Sequence, residues 1–205
     1  MKGFRLFLNG AIILIILGLI FSLTEEKSQF LIWLAHHRHS TTDYFFYYIT
    51  LFGEEYGFIA IGILLWFDSW KKMITVPVLG GIVLVTSYSL KILFEHERPV
   101  IYLDRICYEG PLSVLGYPML TGHHGFPSGH SMAAWGLCML IAALMEKTWV
   151  SIACLFLAVS VSISRIYLMA HFLEDVEAGA MIGVALGYGV FYLYSRWTKA
   201  KEQVG

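Results

Sequence analysis

The sequence predicts an all-α integral membrane protein, built as a six-helix bundle. Its composition is the first reason: 58% of the 205 residues are hydrophobic and 14% are charged, whereas a soluble domain has about half apolar and about a quarter charged residues. The second reason is that the apolar residues fall in runs long enough to cross a bilayer. The third is that the chemically reactive polar residues gather between these runs, on one predicted side of the membrane.

The apolar runs define six candidate spans within a single domain, residues 1–205. A spanning helix needs about 20 mostly apolar residues, and all six should be helical because a backbone in lipid must satisfy its own hydrogen bonds. The second span is the weakest, because Glu54 and Glu55 interrupt it, and its start could lie nearer residue 56. The first should be an uncleaved anchor, since no small-residue cleavage site follows Leu23. The spans are residues 6–23, 47–67, 73–94, 129–145, 148–167 and 176–195.

The basic residues favour an orientation with both termini in the cytoplasm. The inner side would then hold Lys2, Arg5, Lys71, Lys72, Lys147, Arg196, Lys199 and Lys201. The outer side would hold Lys27, Arg38, Lys91, Arg98, Arg105 and Arg165. The outer side also receives all eight histidines and the longest polar connection, residues 95–128. We therefore expect the active site at the extracytoplasmic membrane face.

Charge and cysteine content exclude several other classes of protein. The net charge of −1 argues against a nucleic-acid partner. The cysteines Cys107, Cys138 and Cys154 have no metal-like spacing and predict no disulfide framework. The histidines of residues 36–39 also match no strong metal site, so a hydrated loop is the favoured interpretation there.

Residues 27–43 lie on the predicted outer side and allow two interpretations. Phe30, Leu31, Trp33 and Leu34 would form one apolar face of a short helix lying in the membrane interface. An ordinary loop explains the segment equally well.

The first of three polar clusters is KILFEHERP, from Lys91 to Pro99. Lys91 and Arg98 are seven residues apart, so a continuing helix would place both on one face. Basic residues near a membrane boundary often simply extend to water. Taken alone, Lys91 and Arg98 favour that explanation, and Glu95, His96 and Glu97 between them could form a solvated rim.

The second cluster is PSGH, from Pro127 to His130. Pro127 suits a helix start and Ser128 a helix N-cap. Gly129 lets another group approach the backbone closely. The free N–H groups at the start of the following helix favour an anion such as phosphate. A cap without a ligand explains the first three residues but leaves His130 unexplained.

The third cluster is SRIYLMAHFLED, from Ser164 to Asp175. His171 and Asp175 are four residues apart and would share a helix face. A carboxylate on one imidazole nitrogen leaves the other nitrogen free to attack, and Arg165 offers a fork of donors that suits phosphate. A structural His–Asp pair beside an unrelated arginine is the simpler alternative. All three clusters fall on one face of the bilayer, and together they supply what phosphoryl transfer through histidine needs.

Written as K-x6-RP, PSGH and SR-x5-H-x3-D, these clusters resemble the three-part motif of the type 2 phosphatidic acid phosphatase family. That family includes lipid phosphate phosphatases and shares its site with vanadium haloperoxidases. The motif lies within residues 91–175, and the six-helix layout extends the likeness over nearly the whole chain. The matching positions are Lys91, Arg98, Pro99, Pro127, Ser128, Gly129, His130, Ser164, Arg165, His171 and Asp175.

The resemblance implies a role for each site residue. His171 would attack phosphorus to give a phosphohistidine, with Asp175 orienting it. His130 would protonate the leaving oxygen and then activate water. No metal or other cofactor is expected, because cationic side chains would neutralise the developing charge. The phosphate-binding set would be Lys91, Arg98, Ser128, Gly129 and Arg165.

The implied activity is that of a metal-independent lipid phosphate phosphatase in a bacterial inner membrane, facing the periplasm or exterior. Its partners would be the bilayer and a membrane lipid phosphate. Candidate substrates are undecaprenyl diphosphate, phosphatidylglycerol phosphate, phosphatidate and the phosphates of lipid A. Two alternatives stay open. Halide oxidation dependent on vanadate would indicate a haloperoxidase-like enzyme, and phosphate binding without turnover would indicate a lipid-binding or transport protein.

Overall fold

A computed structural model describes residues 2–24, 26–110 and 112–202, with side chains as far as residue 200. Helices dominate these residues, and no strand forms among them. The α-helices are α1 (Lys2–Thr24), α2 (Gln29–His36), α3 (Ser40–Ile49), α4 (Glu55–Asp68), α5 (Trp70–Met73), α6 (Thr75–Leu93), α7 (Pro99–Arg105), α8 (Gly129–Met145), α9 (Thr148–Tyr167) and α10 (Leu173–Glu202). A 3-10 helix, Thr50–Gly53, joins α3 to α4.

Four helical segments are long and apolar enough to cross a membrane: Lys2–Thr24, Trp70–Leu93, Thr148–Tyr167 and Leu173–Ala200. The pair Ser40–Gly53 and Glu55–Asp68 adds a fifth if it is one broken span. Helix α8 is also apolar but has only 17 residues. The all-helical membrane architecture is therefore confirmed, whereas the count of six spans stays a prediction.

Helix α8 lies at the centre of the bundle, with every residue from Ser131 to Leu144 buried. Helix α10 packs directly on it through three glycines spaced four residues apart. A Cβ atom on Gly183 or Gly187 would come within 2.3 or 2.4 Å of an α8 carbonyl oxygen, and one on Gly179 within 2.5 Å of the carbonyl oxygen of Ser128, which precedes α8. Small residues at such spacing let helix backbones approach closely in membranes. This contact fixes the start of α10 beside the start of α8.

The predicted second span is bent by 64° where Glu54 interrupts it. The inner side of the bend touches α8, since a Cβ atom on Gly53 would lie 2.9 Å from the Cβ of His130. The interruption that weakened the span in the sequence therefore becomes a turn pressed against the start of α8.

The segment before α3 is a short helix rather than a loop. In α2, Leu31 and Leu34 are buried while Trp33 is 54% exposed. The buried pair belongs to an apolar cluster that also includes Ile166 and Phe172. Helix α2 thus covers the end of the bundle where α9 finishes and α10 begins.

Candidate active site

The PSGH cluster forms the start of α8, as predicted. Ser128 is the N-cap, and its side chain accepts a hydrogen bond from the Ser131 N–H at 3.4 Å. The Ser128 N–H donates to the Asp175 carbonyl at 2.9 Å. A Cβ atom on Gly129 would lie 2.9 Å from Ser87 Oγ and 3.7 Å from Lys91 Nζ. The Lys91 ammonium therefore stands beside the helix N-terminus, where an anion would bind.

The expectation that one helix carries both Lys91 and Arg98 is wrong. Helix α6 ends at Leu93, and Arg98 has an extended backbone as the N-cap of α7. The connecting loop turns the guanidinium towards the other clusters, where Nη1 donates to the Ala170 carbonyl at 2.9 Å and Nη2 to the His124 carbonyl at 3.2 Å. Backbone carbonyls, not a shared helix face, position Arg98.

Arg165 is fully buried and is held from two sides. Its Nη1 donates to Thr50 Oγ1 at 2.7 Å, and its Nη2 donates to the Tyr117 hydroxyl at 2.9 Å. Its Nε has no hydrogen-bond partner among the described residues. A buried donor without a partner carries a free-energy penalty, which a phosphoryl oxygen would remove. Sequence reasoning did not identify Thr50 or Tyr117, because both lie outside the three clusters.

His171 and Asp175 are brought together, although not on a common helix face. His171 precedes α10, whereas Asp175 lies in its first turn. The His171 Nδ1 to Asp175 Oδ2 distance is 3.5 Å, and the same oxygen accepts the Phe172 N–H at 2.9 Å. The carboxylate therefore holds the turn by a hydrogen bond and lies within ion-pair distance of the imidazole.

Burial controls the electrostatics of this site. Burial, reinforced by the positive charge of Arg165, lowers the pKa of His171 to about 3. His171 is consequently neutral near pH 7, the form in which a free ring nitrogen is nucleophilic. Burial and then the neighbouring Arg165 also lower the pKa of Arg98. Cations clustered in this way favour an anionic ligand.

His130 lies at the same site and has a partner that the sequence left undecided. Its Nε2 is 2.9 Å from Glu54 Oε1. Glu54 belongs to the bend between α3 and α4, whereas the neighbouring Glu55 is exposed.

A second imidazole approaches Asp175 from the rim. His96 Nδ1 lies 3.0 Å from Asp175 Oδ1, and its Nε2 lies 2.9 Å from Lys27 Nζ. Lys27 also pairs with Glu174 at 2.7 Å. The ligand atoms of His96, Glu174 and Asp175 are close enough to hold a cation, but the Lys27 ammonium already supplies a positive charge there. His96, for which the sequence left a solvated rim as one interpretation, therefore also contacts the buried carboxylate of the site.

The histidines of residues 36–39 are not brought into the site. His39 caps α3 by accepting the Thr41 N–H at 3.4 Å. His36 Nε2 lies 3.4 Å from the Tyr108 hydroxyl, and His37 Nδ1 lies 2.8 Å from the Trp33 carbonyl oxygen. Their contacts support a structural role.

Comparison with known proteins identifies the family. Residues 70–199 match the PAP2 superfamily, a stretch that covers more than half of the chain. The chain therefore belongs to this superfamily, which confirms the predicted membership of the type 2 phosphatidic acid phosphatase family.

Curated relatives include two lipid A 4'-phosphatases. The Porphyromonas gingivalis protein is 29% identical over 192 residues, which span 87% of this chain and 78% of the relative. The Bacteroides thetaiotaomicron protein is 35% identical over 98 residues, 46% of this chain and 43% of the relative, so that match spans less than half of its length. Mouse glucose-6-phosphatase 3 is 32% identical over 87 residues, 40% of this chain and 23% of the relative.

Two solved structures share the fold. Aquifex aeolicus LpxE gives a TM-score of 0.69 at 24% identity, covering 81% of this chain and 94% of that one. A Bacillus subtilis transmembrane PAP2 type phosphatidylglycerolphosphate phosphatase gives 0.65 at 23% identity, covering 97% and 96%. At these identities the likeness concerns the helical architecture.

Proposed function

We propose that the protein is an integral-membrane lipid phosphatase that releases phosphate from a bacterial envelope lipid. The observation that carries the proposal is the buried Nε of Arg165, unpartnered in the described part of the chain and held in a site that also contains His171 and Asp175. A guanidinium positioned from two sides, with a donor left over, suits a phosphoryl oxygen. Family membership and the lipid A 4'-phosphatase relatives support the same activity.

The proposed topology has six spanning helices within one domain, residues 1–205, with both termini in the cytoplasm. Ser151 Oγ donates to the Gly3 carbonyl at 2.7 Å, so the start of α1 and the start of α9 share the end of the bundle opposite the site. That end would face the cytoplasm, and the site would face the periplasm or exterior of an inner membrane. Basic residues are more numerous at the end that lies away from the site, and this excess supports placing that end in the cytoplasm.

The proposed reaction has two steps. His171 attacks phosphorus through Nε2, because Nδ1 faces Asp175, and the bond to the leaving oxygen breaks as His130 protonates that oxygen. Water activated by His130 then hydrolyses the phosphohistidine and releases phosphate. The cations of Lys91, Arg98 and Arg165 would neutralise the charge that develops on the phosphoryl oxygens, so the residues present can account for the transfer without a metal. Ser128 and the Gly129 amide complete the phosphate-binding set.

Among the candidate lipids, a sugar-linked phosphate monoester of the lipid A type is the one we put first. Two of the relatives are named lipid A 4'-phosphatase and the third is named glucose-6-phosphatase 3. An open cavity of about 620 Å³ lies beside the site, lined by Leu93, Phe94, Glu95, His96, Phe126 and Glu174. Carboxylates and aromatic rings of this kind would suit a hydroxyl-rich headgroup. Undecaprenyl diphosphate, phosphatidylglycerol phosphate and phosphatidate are the comparison substrates.

The test is phosphate release by the purified protein in detergent from these four lipids. We expect release from the lipid A phosphate to be fastest, loss of activity in His171→Ala, and retention in His123→Ala, a matched change at an exposed histidine. Near wild-type release by His171→Ala would overturn the assigned nucleophile. Phosphate binding without release would indicate a binding protein, and vanadate-dependent halide oxidation without phosphate release would indicate a haloperoxidase-like enzyme.

A further inference from the structure

The bend at Glu54 is a feature of the site that the three motif clusters do not include. A charged residue that interrupts an apolar helix at membrane level is unfavourable unless it has a partner, and such residues usually serve function. Here the partner is His130 Nε2, at 2.9 Å from the carboxylate. About a quarter of each side chain is exposed, 27% for Glu54 and 25% for His130, so most of the pair is shielded from solvent.

The backbone of the bend is shaped for this contact. Gly53 lies against His130 so closely that a Cβ atom would be 2.9 Å from the His130 carbonyl oxygen as well as from its Cβ. Only a residue without a side chain allows the turn to sit there. On the other side of the turn, Thr50 accepts the hydrogen bond from Arg165. The 3-10 turn and Glu54 therefore contact two site residues that come from different helices.

We propose that Glu54 is the positioning residue of His130, holding its imidazole by Nε2 so that Nδ1 faces the leaving oxygen. This inference rests on the proposed function. It gives the site two carboxylate–imidazole pairs: Asp175 with the nucleophile His171, and Glu54 with the acid–base His130. Segment 50–54 thus becomes a fourth cluster of the site. It lies in the bend between α3 and α4, outside the three motif clusters.

The proton balance explains why a carboxylate is useful at this place. In the first step the His130 imidazolium gives its Nδ1 proton to the leaving oxygen as the P–O bond breaks and the His171 N–P bond forms. In the second step neutral His130 takes a proton from water as the water oxygen bonds to phosphorus and the N–P bond breaks. His130 must therefore become cationic once in each cycle. The cationic side chains of the site oppose that charge, whereas the Glu54 carboxylate, 2.9 Å from Nε2, favours it.

The experiment compares Glu54→Gln with Glu55→Gln, a matched change at the adjacent exposed residue. Two substrates are used: the lipid phosphate, whose alkoxide needs a proton to leave, and p-nitrophenyl phosphate, whose phenolate does not. We expect Glu54→Gln to lower kcat on the lipid by about 10- to 100-fold, with KM within about twofold and a much smaller loss on the aryl phosphate. The alkaline limb of its pH–rate profile should move to lower pH. Glu54→Asp should recover part of the rate, and Glu55→Gln should match the wild type.

A double mutant separates positioning from a structural effect. In a His130→Ala background, Glu54→Gln should cause no further loss, because the group that it positions is gone. Equal losses on both substrates with an unchanged pH profile, or losses that multiply in the double mutant, would overturn the proposal.

A measurement without turnover keeps this inference distinct from the proposed function. If the wild type released no phosphate from any lipid, the proposed function would fail. NMR of histidine-labelled protein would still report the His130 tautomer. We expect the Nε2–H form in the wild type and a mixture in Glu54→Gln, and identical spectra for His130 in the two proteins would overturn the role of Glu54.

Discussion

His96 Nδ1 lies 3.0 Å from Asp175 Oδ1, on the opposite oxygen from the one that faces His171. Asp175 is fully buried, so its negative charge depends on these two imidazoles and on the Phe172 N–H. The rim of the site is therefore linked to the nucleophile through one carboxylate.

Replacing His96 should slow the reaction although His96 does not touch phosphate in the proposed mechanism. Without it, Asp175 loses one partner and holds His171 less firmly. We expect His96→Gln to reduce kcat by about tenfold, equivalent to ~1.4 kcal/mol in activation free energy, with KM little changed. Steady-state kinetics on the preferred lipid would measure this, and His123→Gln is the control. A rise in KM at constant kcat would instead place His96 in substrate binding.

The same contact should make stability depend on pH. Asp175 raises the pKa of His96 above its ordinary value, which is about 6.5. Protonated His96 therefore stabilises the fold fully below about pH 6.5, and this contribution disappears as pH rises through the higher folded pKa. The difference in Tm between wild type and His96→Gln should be largest in mild acid and shrink in alkali. Lys27 and Glu174 also act on the pKa of His96. A difference in Tm that stays constant with pH would assign the stabilisation by His96 to packing.

An alanine at position 129 should fit only if the end of α6 moves away. In Gly129→Ala the new Cβ would lie 2.9 Å from Ser87 Oγ, so the end of α6 that carries Lys91 must shift. We expect about a tenfold loss of activity, and partial recovery in Gly129→Ala/Ser87→Ala, because the second change removes the clashing oxygen. Phosphate release and Tm would both be measured. Gly81→Ala, where nothing lies within 4 Å, is the matched control, and equal activity of all variants would contradict close contact at Gly129.

Arg165→Lys should be a severe change despite its retained charge. A lysine ammonium cannot donate to Thr50 and Tyr117 and also present a third donor in the plane of a guanidinium. We expect turnover to fall by about 100-fold, a loss of the size seen when one oxyanion donor is removed, together with weaker inhibition by vanadate. Arg196→Lys, at the far end of α10, should behave as wild type. Strong vanadate binding in Arg165→Lys would show that charge alone is sufficient.

Local sequence signals predicted the parts of the site that a single segment encodes. The N-cap at Ser128, the close approach at Gly129 and the pairing of His171 with Asp175 follow from residue types a few positions apart. Both errors of geometry came from extending helices too far. Phe94 begins an extended stretch after α6, so Lys91 and Arg98 do not share a helix. His171 lies before α10, so helical spacing does not describe its contact with Asp175.

The remaining contacts join residues that are distant in sequence. Glu54 meets His130 across 76 positions, and Arg165 meets Thr50 across 115. Nothing in the neighbourhood of Glu54 distinguishes it from Glu55 except which way the bend turns it. Such pairs depend on how α4, α8 and α9 pack, and that packing is a property of the whole bundle.

Helix α8 has 17 residues and is therefore about 25 Å long, shorter than the roughly 30 Å hydrocarbon core of a bilayer. A lipid-facing helix of that length would have to thin the membrane around it or bury its ends. Because α8 is surrounded by protein from Ser131 to Leu144, its neighbours meet the acyl chains instead. A change in membrane thickness then affects the outer helices, and the depth of the PSGH turn in the membrane does not depend on it.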